Sequence, residues 1–356
     1  MTSRCKGPFA SRRELLLGAA GLTALGALGL PARRVGAAES LIVADPGGPF
    51  KDGYGAAFYR PYEKETGVRI VNVAREHQPT SQVRAIVETK NYSWDVVTIT
   101  QGDQVLLTGL GMLEKLDWSD AHMQEIMPEA RRDDWMGVDV YCTVLSFRAD
   151  TCKKAPQSWA DFWDVKGFPG RRSLRKSPID TLEIALLADG VDPKQLYPLD
   201  LKRAFGKLDQ IRPHIDVWWT GGAQTSQLLE SGEVDMVPTW NGRAQTVIDA
   251  GRPVGVVWNQ GLYSIEGWAI PKGDAKADLG RKFIAYCADP KRQAEYTKTL
   301  AYGPTNSKAY DHIPPERAKF LPTNPAHFPS LILADQNWWG KHKDEAEQKF
   351  NEWLLS

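Results

Sequence analysis

Short apolar stretches typical of strands alternate with amphipathic stretches typical of helices along the first third of this 356-residue sequence. The stretches 40–45, 68–74 and 94–100 read as strands, and 50–67 and 81–89 between them read as amphipathic helices. A succession of strand, helix, strand, helix and strand requires parallel pairing through right-handed crossovers. The alternation therefore predicts an α/β fold that binds ligands at the carboxyl ends of its strands.

The alternation continues to residue 271 and divides into two parts. A strand within 140–150 opens a second run of helices and strands, which closes with the strand of 225–240. The stretch 255–271 and a helix from Leu279 to Ala288 then look like a return to the first part. The length of the chain also favours two domains over one.

The first 38 residues have the composition of an export signal. A basic segment with Arg12 and Arg13 precedes a glycine-rich apolar run and an Ala-x-Ala-like site near Ala37-Ala38. The run is shorter than the roughly 20 residues that a membrane-spanning helix needs. The pattern Ser-Arg-Arg-x-Leu-Leu resembles a twin-arginine signal, with an ordinary secretory signal as the alternative. Both interpretations predict a periplasmic mature chain.

The charge that remains after residues 1–38 excludes some partners. The signal carries six of the 44 basic residues and one of the 44 acidic residues, so the mature chain has 38 against 43, a net charge of −5. A mildly acidic protein is a poor candidate for binding nucleic acid or anionic membranes. We therefore expect a small-molecule partner and no nucleic acid.

Motifs of catalysis, cofactor binding and metal binding are missing from the sequence. It contains no Gly-x-Ser-x-Gly and no His-Glu-x-x-His, and its six histidines show no ligand spacing. A secreted enzyme is thus the weaker interpretation, and we expect no cofactor and no metal. Cys142, Cys152 and Cys287 permit one disulfide and one free thiol, with the pairing left open.

Four segments resemble the periplasmic solute-binding proteins of ABC importers, and most closely their polyamine (spermidine/putrescine) branch. The segments are APQSWADFWD at 155–164, GEVDMVPTWNGRA at 232–244, EGWAIPKGDAKADLGRKFIAYCADPKRQAEY at 266–296 and AYGPTNSKA at 301–309. Such proteins deliver a small amine solute to ABC permease subunits in the inner membrane. The resemblance implies that this chain does the same as a monomer.

The fold implied by the resemblance is the type II periplasmic binding protein fold. Its two α/β lobes are hinged by strand crossovers, which would fall near residues 144–147 and 265–269, and the ligand lies in the interlobe cleft. The implied boundaries are 39–146 with 267–331 for lobe 1, 147–266 for lobe 2, and 332–356 for a C-terminal helical segment.

The resemblance also implies roles for individual residues. Trp240 matches a tryptophan that packs on the ligand's alkylammonium chain, which suits the attraction of an indole face for cations. Glu266 matches an ammonium-binding acid, and Asp180 falls near a second one. Tyr302 and Gln101 fall at aromatic positions lining the cleft. The further candidates at strand ends and turns are Gly48, Thr100, Trp219, Thr220, Asn241 and Arg243.

A polyamine such as putrescine or spermidine is the ligand that the resemblance implies, and two departures count against a strict polyamine assignment. Ser264 stands where a second stacking tryptophan is expected, and Ser177 stands where another acid is expected. Each missing charge-assisted hydrogen bond would cost about 1.5–3 kcal/mol for a long polycation. Arg75, Arg175 or Arg243 could instead pair with a ligand carboxylate. An ω-amino acid such as 4-aminobutyrate, or an opine, is therefore the alternative to putrescine and spermidine.

The export route can be tested on the precursor. Replacing both Arg12 and Arg13 with lysine should leave unprocessed precursor in the cytoplasm, because the twin-arginine pathway reads the arginine pair. Cell fractionation with immunoblotting measures this, with Arg33→Lys/Arg34→Lys as the matched control. Normal processing of the Arg12/Arg13 variant would return the signal to the general secretory class.

Overall fold

The computed structural model describes residues 39–76 and 79–356, so the predicted export signal lies outside the described residues. The strands are β1 (Ser40–Asp45), β2 (Arg69–Ala74), β3 (Val96–Thr100), β4 (Arg131–Arg132), β5 (Trp135–Arg148), β6 (Arg172–Arg175), β7 (Ile215–Trp219), β8 (Met236–Trp240), β9 (Val254–Ala269), β10 (Gly303–Pro304) and β11 (Ile332–Leu333). The helices are α1 (Pro49–Tyr54), α2 (Arg60–Thr66), α3 (Thr80–Thr89), α4 (Gln101–Gly109), α5 (Trp159–Trp163), α6 (Thr181–Ala188), α7 (Leu201–Ile211), α8 (Gly222–Ser231), α9 (Asn241–Asp249), α10 (Ala277–Cys287), α11 (Pro290–Thr299), α12 (Pro315–Ala318) and α13 (Gln336–Leu355).

The parallel unit predicted at the start of the mature chain is confirmed. β1 pairs in parallel with β2 on one side and with β3 on the other. A π-helical turn, Gly55–Tyr59, joins α1 to α2, and Gly67 ends α2 in the left-handed conformation at φ 76°. Glycine adopts this conformation without a Cβ penalty, which is why the predicted helix stops there.

One sheet runs through the molecule in the order β2-β1-β3-β9-β5-β8-β6-β7. β6 pairs in parallel with β7 and with β8, so each end of the sheet is a parallel unit. The long strands β5 and β9 lie between these units and pair antiparallel with each other. This mixed α/β architecture confirms the predicted fold class.

β5 is longer than the sequence indicated, since it begins at Trp135 rather than near Val140. All of its residues but Tyr141 and Arg148 are buried, because helices and loops cover both faces of the central sheet. A strand buried on both faces loses much of the alternation that marks a half-exposed strand. The pairing of β5 with β9 shifts its register between Thr143 and Leu145. Thr143 lies opposite Leu262, whereas Leu145 lies opposite Val257.

Two large apolar clusters share β5 and β9. The first contains Val144 of β5 and Tyr263 of β9, together with the aromatic residues of α1 and α2. The second contains Leu145 and Leu262, together with α6 and α7. The clusters therefore meet on adjacent residues of both long strands, next to the irregular pairing. The lobe boundaries given above stay a prediction.

The last helix, α13, packs on the second cluster through Trp338, Trp339 and Phe350. The indole Nε1 of Trp339 donates to Oε1 of the buried Glu183 at 2.6 Å. In the same first turn of α13, Gln336 reaches Ser264 of β9 at 3.5 Å. The C-terminal segment is thus part of the folded body.

Cys142, Cys152 and Cys287 are all free thiols, so the disulfide that the sequence permitted is not formed in this structure. Cys142 and Cys287 are buried in the first cluster. Within the described residues, no helix has both the length and the hydropathy of a membrane span.

Candidate functional site

Three neighbouring strands end at the same place and bring two tryptophans and an arginine together. Trp219 ends β7, Trp240 ends β8 and Arg175 ends β6. The two indole rings lie 5.9 Å apart at 82° to each other. The guanidinium carbon of Arg175 lies 5.5 Å from the Trp219 ring centroid and 5.3 Å from that of Trp240. Parallel strands direct their carboxyl ends to one edge, which is why residues distant in sequence meet here.

Asp180 completes this group, which we call the indole corner: Trp219, Trp240, Arg175 and Asp180. Its Oδ2 accepts from Arg175 Nη1 at 3.0 Å and from Thr143 Oγ1 of β5 at 3.0 Å. The Arg175 and Asp180 side chains are 16% and 11% exposed. Asp180 adopts φ 68° just before α6, a conformation that aspartate tolerates better than most residues. The corner thus consists of one partly desolvated guanidinium, two indole faces and one carboxylate.

A second ion pair lies on the other side of β5. Glu266 of β9 and Arg75 after β2 form a salt bridge, with side chains 7% and 2% exposed. Arg75 also donates to the hydroxyl of Thr98 and to the carbonyl of Glu76. Burial raises the pKa of Glu266, and the Arg75 guanidinium opposes that rise. The carboxylate predicted to meet a ligand ammonium therefore already has a buried partner from the chain.

Asp139 is a third buried acid, cross-strand from Glu266 in the β5–β9 pairing. Its Oδ2 accepts from the Tyr54 hydroxyl at 2.7 Å, and its Oδ1 has no hydrogen-bond partner within the described residues. Burial and the neighbouring Glu266 charge raise the pKa of Asp139 to about 8. This carboxyl is accordingly protonated and neutral at pH 7.

Tyr141 and Tyr302 connect the two ion pairs. Their rings lie 5.7 Å apart, and the Tyr141 ring lies 6.5 Å from that of Trp240, edge to face. Burial raises the pKa of Tyr141, and the charges of Glu266 and Asp180 raise it further. The hydroxyl of Tyr141 is therefore within electrostatic reach of both carboxylates. The structure thus joins Glu266 and the indole corner in one cluster.

Arg243, in the first turn of α9, also reaches this cluster. A Cβ added to Gly222 would lie 2.6 Å from the Trp240 ring and 3.0 Å from Arg243 Nε, so this glycine admits both side chains. The Arg243 charge also counteracts the burial that raises the pKa of Tyr302. Within residues 39–76 and 79–356, Arg243 forms no salt bridge and its buried Nε has no hydrogen-bond partner. Arg75 and Arg175, in contrast, are both paired.

Some predicted site residues use their side chains within the fold. Asn241 accepts from the Cys142 amide at 3.0 Å and donates to the Ala301 carbonyl at 2.5 Å, so it ties α9 to β5 and to the chain before Tyr302. Thr100 caps α4 in a capping box with Asp103. These contacts give both residues a structural role, and their predicted contact with ligand stays a prediction.

The other predicted residues lie at varying distance from the cluster. Ser264 is cross-strand from Tyr141. The hydroxyl of Ser177 accepts from the Ile179 amide in the loop that leads to Asp180. The side chain of Gln101 is buried and reaches the Glu129 carbonyl at 3.4 Å. Thr220 and Gly48 are exposed, and a Cβ at Gly48 would touch nothing within 4 Å.

Sequence reasoning missed Asp139, Tyr141 and Thr143, although the sequence carries a signal for them. In β5 these three alternate with the buried Val138, Val140, Cys142 and Val144. A period of two places alternate side chains on one face of a strand, and this face is the one that reaches Glu266 and Asp180. Gln336 was also missed, because only tertiary contact brings α13 to Ser264.

The family model for bacterial extracellular solute-binding proteins matches residues 57–328 of this chain. The chain belongs to this family. Its members are binding proteins of transport systems rather than enzymes, and they act outside the cytoplasm. The interpretation as a solute-binding protein of an ABC importer is therefore confirmed at the level of the family.

Relatives of this solute-binding protein differ in the ligands that they are named for. It is 35% identical to the gamma-aminobutyric acid-binding protein of Pseudomonas aeruginosa, over 88% of this chain and 91% of the relative. It is 23% identical to the spermidine/putrescine-binding periplasmic protein 1 of Haemophilus influenzae, over 82% of each chain. The polyamine branch is thus the more distant match of the two.

Solved structures share the fold of this chain over most of its length. An ABC transporter substrate-binding protein from Bradyrhizobium japonicum has a TM-score of 0.83 and 38% identity, covering 89% of this chain and 99% of its own. A GABA receptor structure has a TM-score of 0.81 and 35% identity, covering 88% and 97%. The binding protein AgtB of A. tumefaciens, in complex with agropinic acid, has a TM-score of 0.75 and 31% identity, covering 89% and 99%.

The buried pair of Arg75 and Glu266 predicts a stability defect. Glu266→Gln should lower the free energy of unfolding by about 3–5 kcal/mol, because it leaves the Arg75 guanidinium buried without a counter-charge. Adding Arg75→Met should recover much of this loss. Urea unfolding of both variants measures it, with Glu65→Gln, in an exposed pair with Arg292, as a control that changes stability by about 1 kcal/mol or less. A Glu266→Gln protein of unchanged stability but weaker ligand affinity would mean that Glu266 contacts the ligand directly.

Asp139 predicts a dependence of stability on pH. Its pKa of about 8 in the folded state exceeds the ordinary value near 3.9, so the folded protein holds one more proton than the unfolded chain between these values. Stability should therefore fall as pH rises from about 4 to 8, by up to about 1.4 kcal/mol per pH unit. Asp139→Asn should flatten this slope in urea unfolding measured from pH 5 to 8. Glu183, with a pKa of about 7, contributes the same slope to both proteins, so their difference reports Asp139 alone. Parallel profiles would contradict the assignment.

Proposed function

We infer that this solute-binding protein binds a small ω-amino acid, of which 4-aminobutyrate is the model, and delivers it to the permease of an ABC importer. The observation that carries this inference is Arg243. Its Nε and the Trp240 ring both approach Gly222, its charge lowers the raised pKa of Tyr302, and it has no carboxylate partner in the described part of the chain. A guanidinium binds a carboxylate through paired, charge-assisted hydrogen bonds.

The charge balance of the cluster favours a ligand with an anionic end. Arg75 and Arg175 are paired with Glu266 and Asp180, and Arg243 has no carboxylate partner within the described residues. Asp139 adds no charge at neutral pH, because its pKa is about 8. The guanidinium of Arg243 is thus left to attract a ligand carboxylate and to repel the second ammonium of a diamine.

The amine end of the ligand requires a carboxylate on the opposite side of the cluster. Asp180 uses only its Oδ2 in the hydrogen bonds to Thr143 and Arg175, so its Oδ1 is available to an ammonium. Tyr141, next to both Asp180 and Trp240, adds an aromatic edge and a hydroxyl. An ω-amino acid would then span from Arg243 to Asp180 across the Tyr141 and Tyr302 rings.

The comparisons support the amino acid over the polyamine. The relative named for gamma-aminobutyric acid is 35% identical to this chain, whereas the one named for spermidine and putrescine is 23% identical. The serines at 264 and 177 fit the same choice, since a zwitterion needs fewer acids and fewer stacking rings than a polycation. We further propose that the mature protein acts in the periplasm as a monomer after twin-arginine export.

Calorimetry with two matched ligands tests this proposal. Wild type should bind 4-aminobutyrate more tightly than butylamine, which has the same ammonium but no carboxylate, by about 10- to 100-fold. Arg243→Gln should remove most of this preference while leaving butylamine affinity unchanged, because only the carboxylate contact is lost. Putrescine and spermidine should bind wild type weakly or not at all.

Arg252→Gln is the matched control, because Arg252 is an exposed arginine just after α9, 3.8 Å from Glu230. It removes one positive charge without touching the cluster, and should keep the ligand preference. Tight binding of putrescine by wild type, or an Arg243→Gln protein that still prefers 4-aminobutyrate, would contradict the proposal.

A further inference from the structure

The indole corner has the components of a binding site for an alkylammonium ion, and the chain itself supplies the cation. Two indole rings 5.9 Å apart and nearly perpendicular form two walls, and the Asp180 carboxylate is the counter-charge. Rings and acids in this arrangement bind organic cations by combining cation–π attraction with a charge-assisted hydrogen bond. In this protein the guanidinium of Arg175 occupies that position.

Three contacts hold Arg175 in place at once. Its guanidinium carbon is 5.3 Å from the Trp240 ring centroid and 5.5 Å from the Trp219 ring centroid. Its Nη1 is 3.0 Å from Asp180 Oδ2, and its side chain is 16% exposed. Asp180 is itself fixed from a second direction by Thr143 of β5. A ligand cation could take the position against the two indole faces only by displacing a desolvated guanidinium from these partners, whereas Asp180 Oδ1, which Arg175 does not use, stays open to one ammonium.

We propose that Arg175 is a specificity-determining residue: it acts as an internal cation that fills the indole corner and so excludes diamines and polyamines from the site. This inference rests on the proposed function, because it explains why a cluster with acids and indole faces would accept an ω-amino acid and reject a polyamine. A diamine needs a carboxylate for each ammonium, and here Glu266 is paired with Arg75 while Asp180 has only its Oδ1 left beside Arg175. An ω-amino acid needs one carboxylate oxygen and brings its own anion for Arg243.

The position of Arg175 explains why one residue has this effect. It is the last residue of β6, paired in register with Trp219 of β7, so both side chains leave the sheet at the same edge. Asp180 follows five residues later at the start of α6. The strand ends therefore fix guanidinium, indole and carboxylate together, and no movement of a distant loop is required to bring Arg175 to the corner.

Binding of putrescine, spermidine and 4-aminobutyrate to three Arg175 variants tests the inference. Arg175→Met keeps the length and apolar stem but removes the charge, and should gain putrescine affinity by about tenfold or more. Arg175→Lys keeps a cation in the corner and should not gain affinity for putrescine. Arg175→Gln is a second neutral variant, for use should the methionine variant not fold.

The double variant Arg175→Met/Arg243→Met removes both unwanted positive charges and should gain still more affinity for putrescine and spermidine. Arg203→Met, which breaks an exposed pair with Asp189 away from the corner, is the control for loss of a positive charge. It should leave all three affinities as they are in wild type. Circular dichroism and thermal melting confirm that each variant is folded.

The outcomes separate this inference from the proposed function. Folded neutral variants that gain no putrescine affinity, alone or with Arg243→Met, overturn the role of Arg175. Loss of 4-aminobutyrate binding by about 100-fold or more in Arg175→Met, without a gain for putrescine, also overturns it and makes Arg175 the carboxylate partner. Wild type that binds no ω-amino acid overturns the proposed function, yet a putrescine gain in Arg175→Met would still support Arg175 as the excluding cation.

Discussion

The antiparallel pairing of β5 with β9 is the interaction on which both the fold and the site depend. These two strands lie between the parallel units at either end of the sheet, and both apolar clusters draw residues from them. They also bring Asp139 opposite Glu266 and Tyr141 opposite Ser264. The pairing becomes irregular next to the place where the clusters meet. The two strands that join the parallel units therefore also carry the side chains of the candidate site.

Burying charge in this cluster imposes strict pairing. A charge removed from water is tolerated when a partner of opposite sign and hydrogen bonds compensate it, and Arg75 with Glu266 and Arg175 with Asp180 meet this condition. Asp139 avoids the cost of a buried charge because it takes up a proton. Arg243 is the exception within the described chain. This half-exposed side chain has a buried Nε without a hydrogen-bond partner, which an anionic ligand group could supply.

Residues of α6 and α13 contact the candidate site through hydrogen bonds. Asp180 immediately precedes α6 and Glu183 lies in its first turn, where Glu183 accepts hydrogen bonds from Tyr197 and from Trp339 of α13. Gln336, in the same first turn of α13 as Trp339, reaches Ser264. The first turn of the last helix thus contacts both Glu183, near one ion pair, and β9, which carries the acid of the other.

The sequence by itself determined the α/β class, most element positions, the family resemblance and the candidacy of Trp240, Glu266, Asp180 and Tyr302. These follow from periodicity, from turn residues such as Gly67, and from local motifs, all of which act over a few residues. Sequence also left an ω-amino acid open as the alternative ligand, on the strength of the serines at 264 and 177 and of nearby arginines. It could not choose among Arg75, Arg175 and Arg243, because whether an arginine is paired depends on which carboxylate folding brings within about 4 Å.

Tertiary structure decided those pairings, and with them which arginine is left without a carboxylate partner in the described residues. It placed Arg75 on Glu266 across 191 residues of sequence separation, and it placed Arg175 against two indoles from different strands. It also determined how far β5 extends and that the three cysteines stay apart as thiols. The physical reason is the same in each case. Burial, counter-charge and ring contact are properties of neighbours in space, and strand order and helix docking select those neighbours only once the chain is folded.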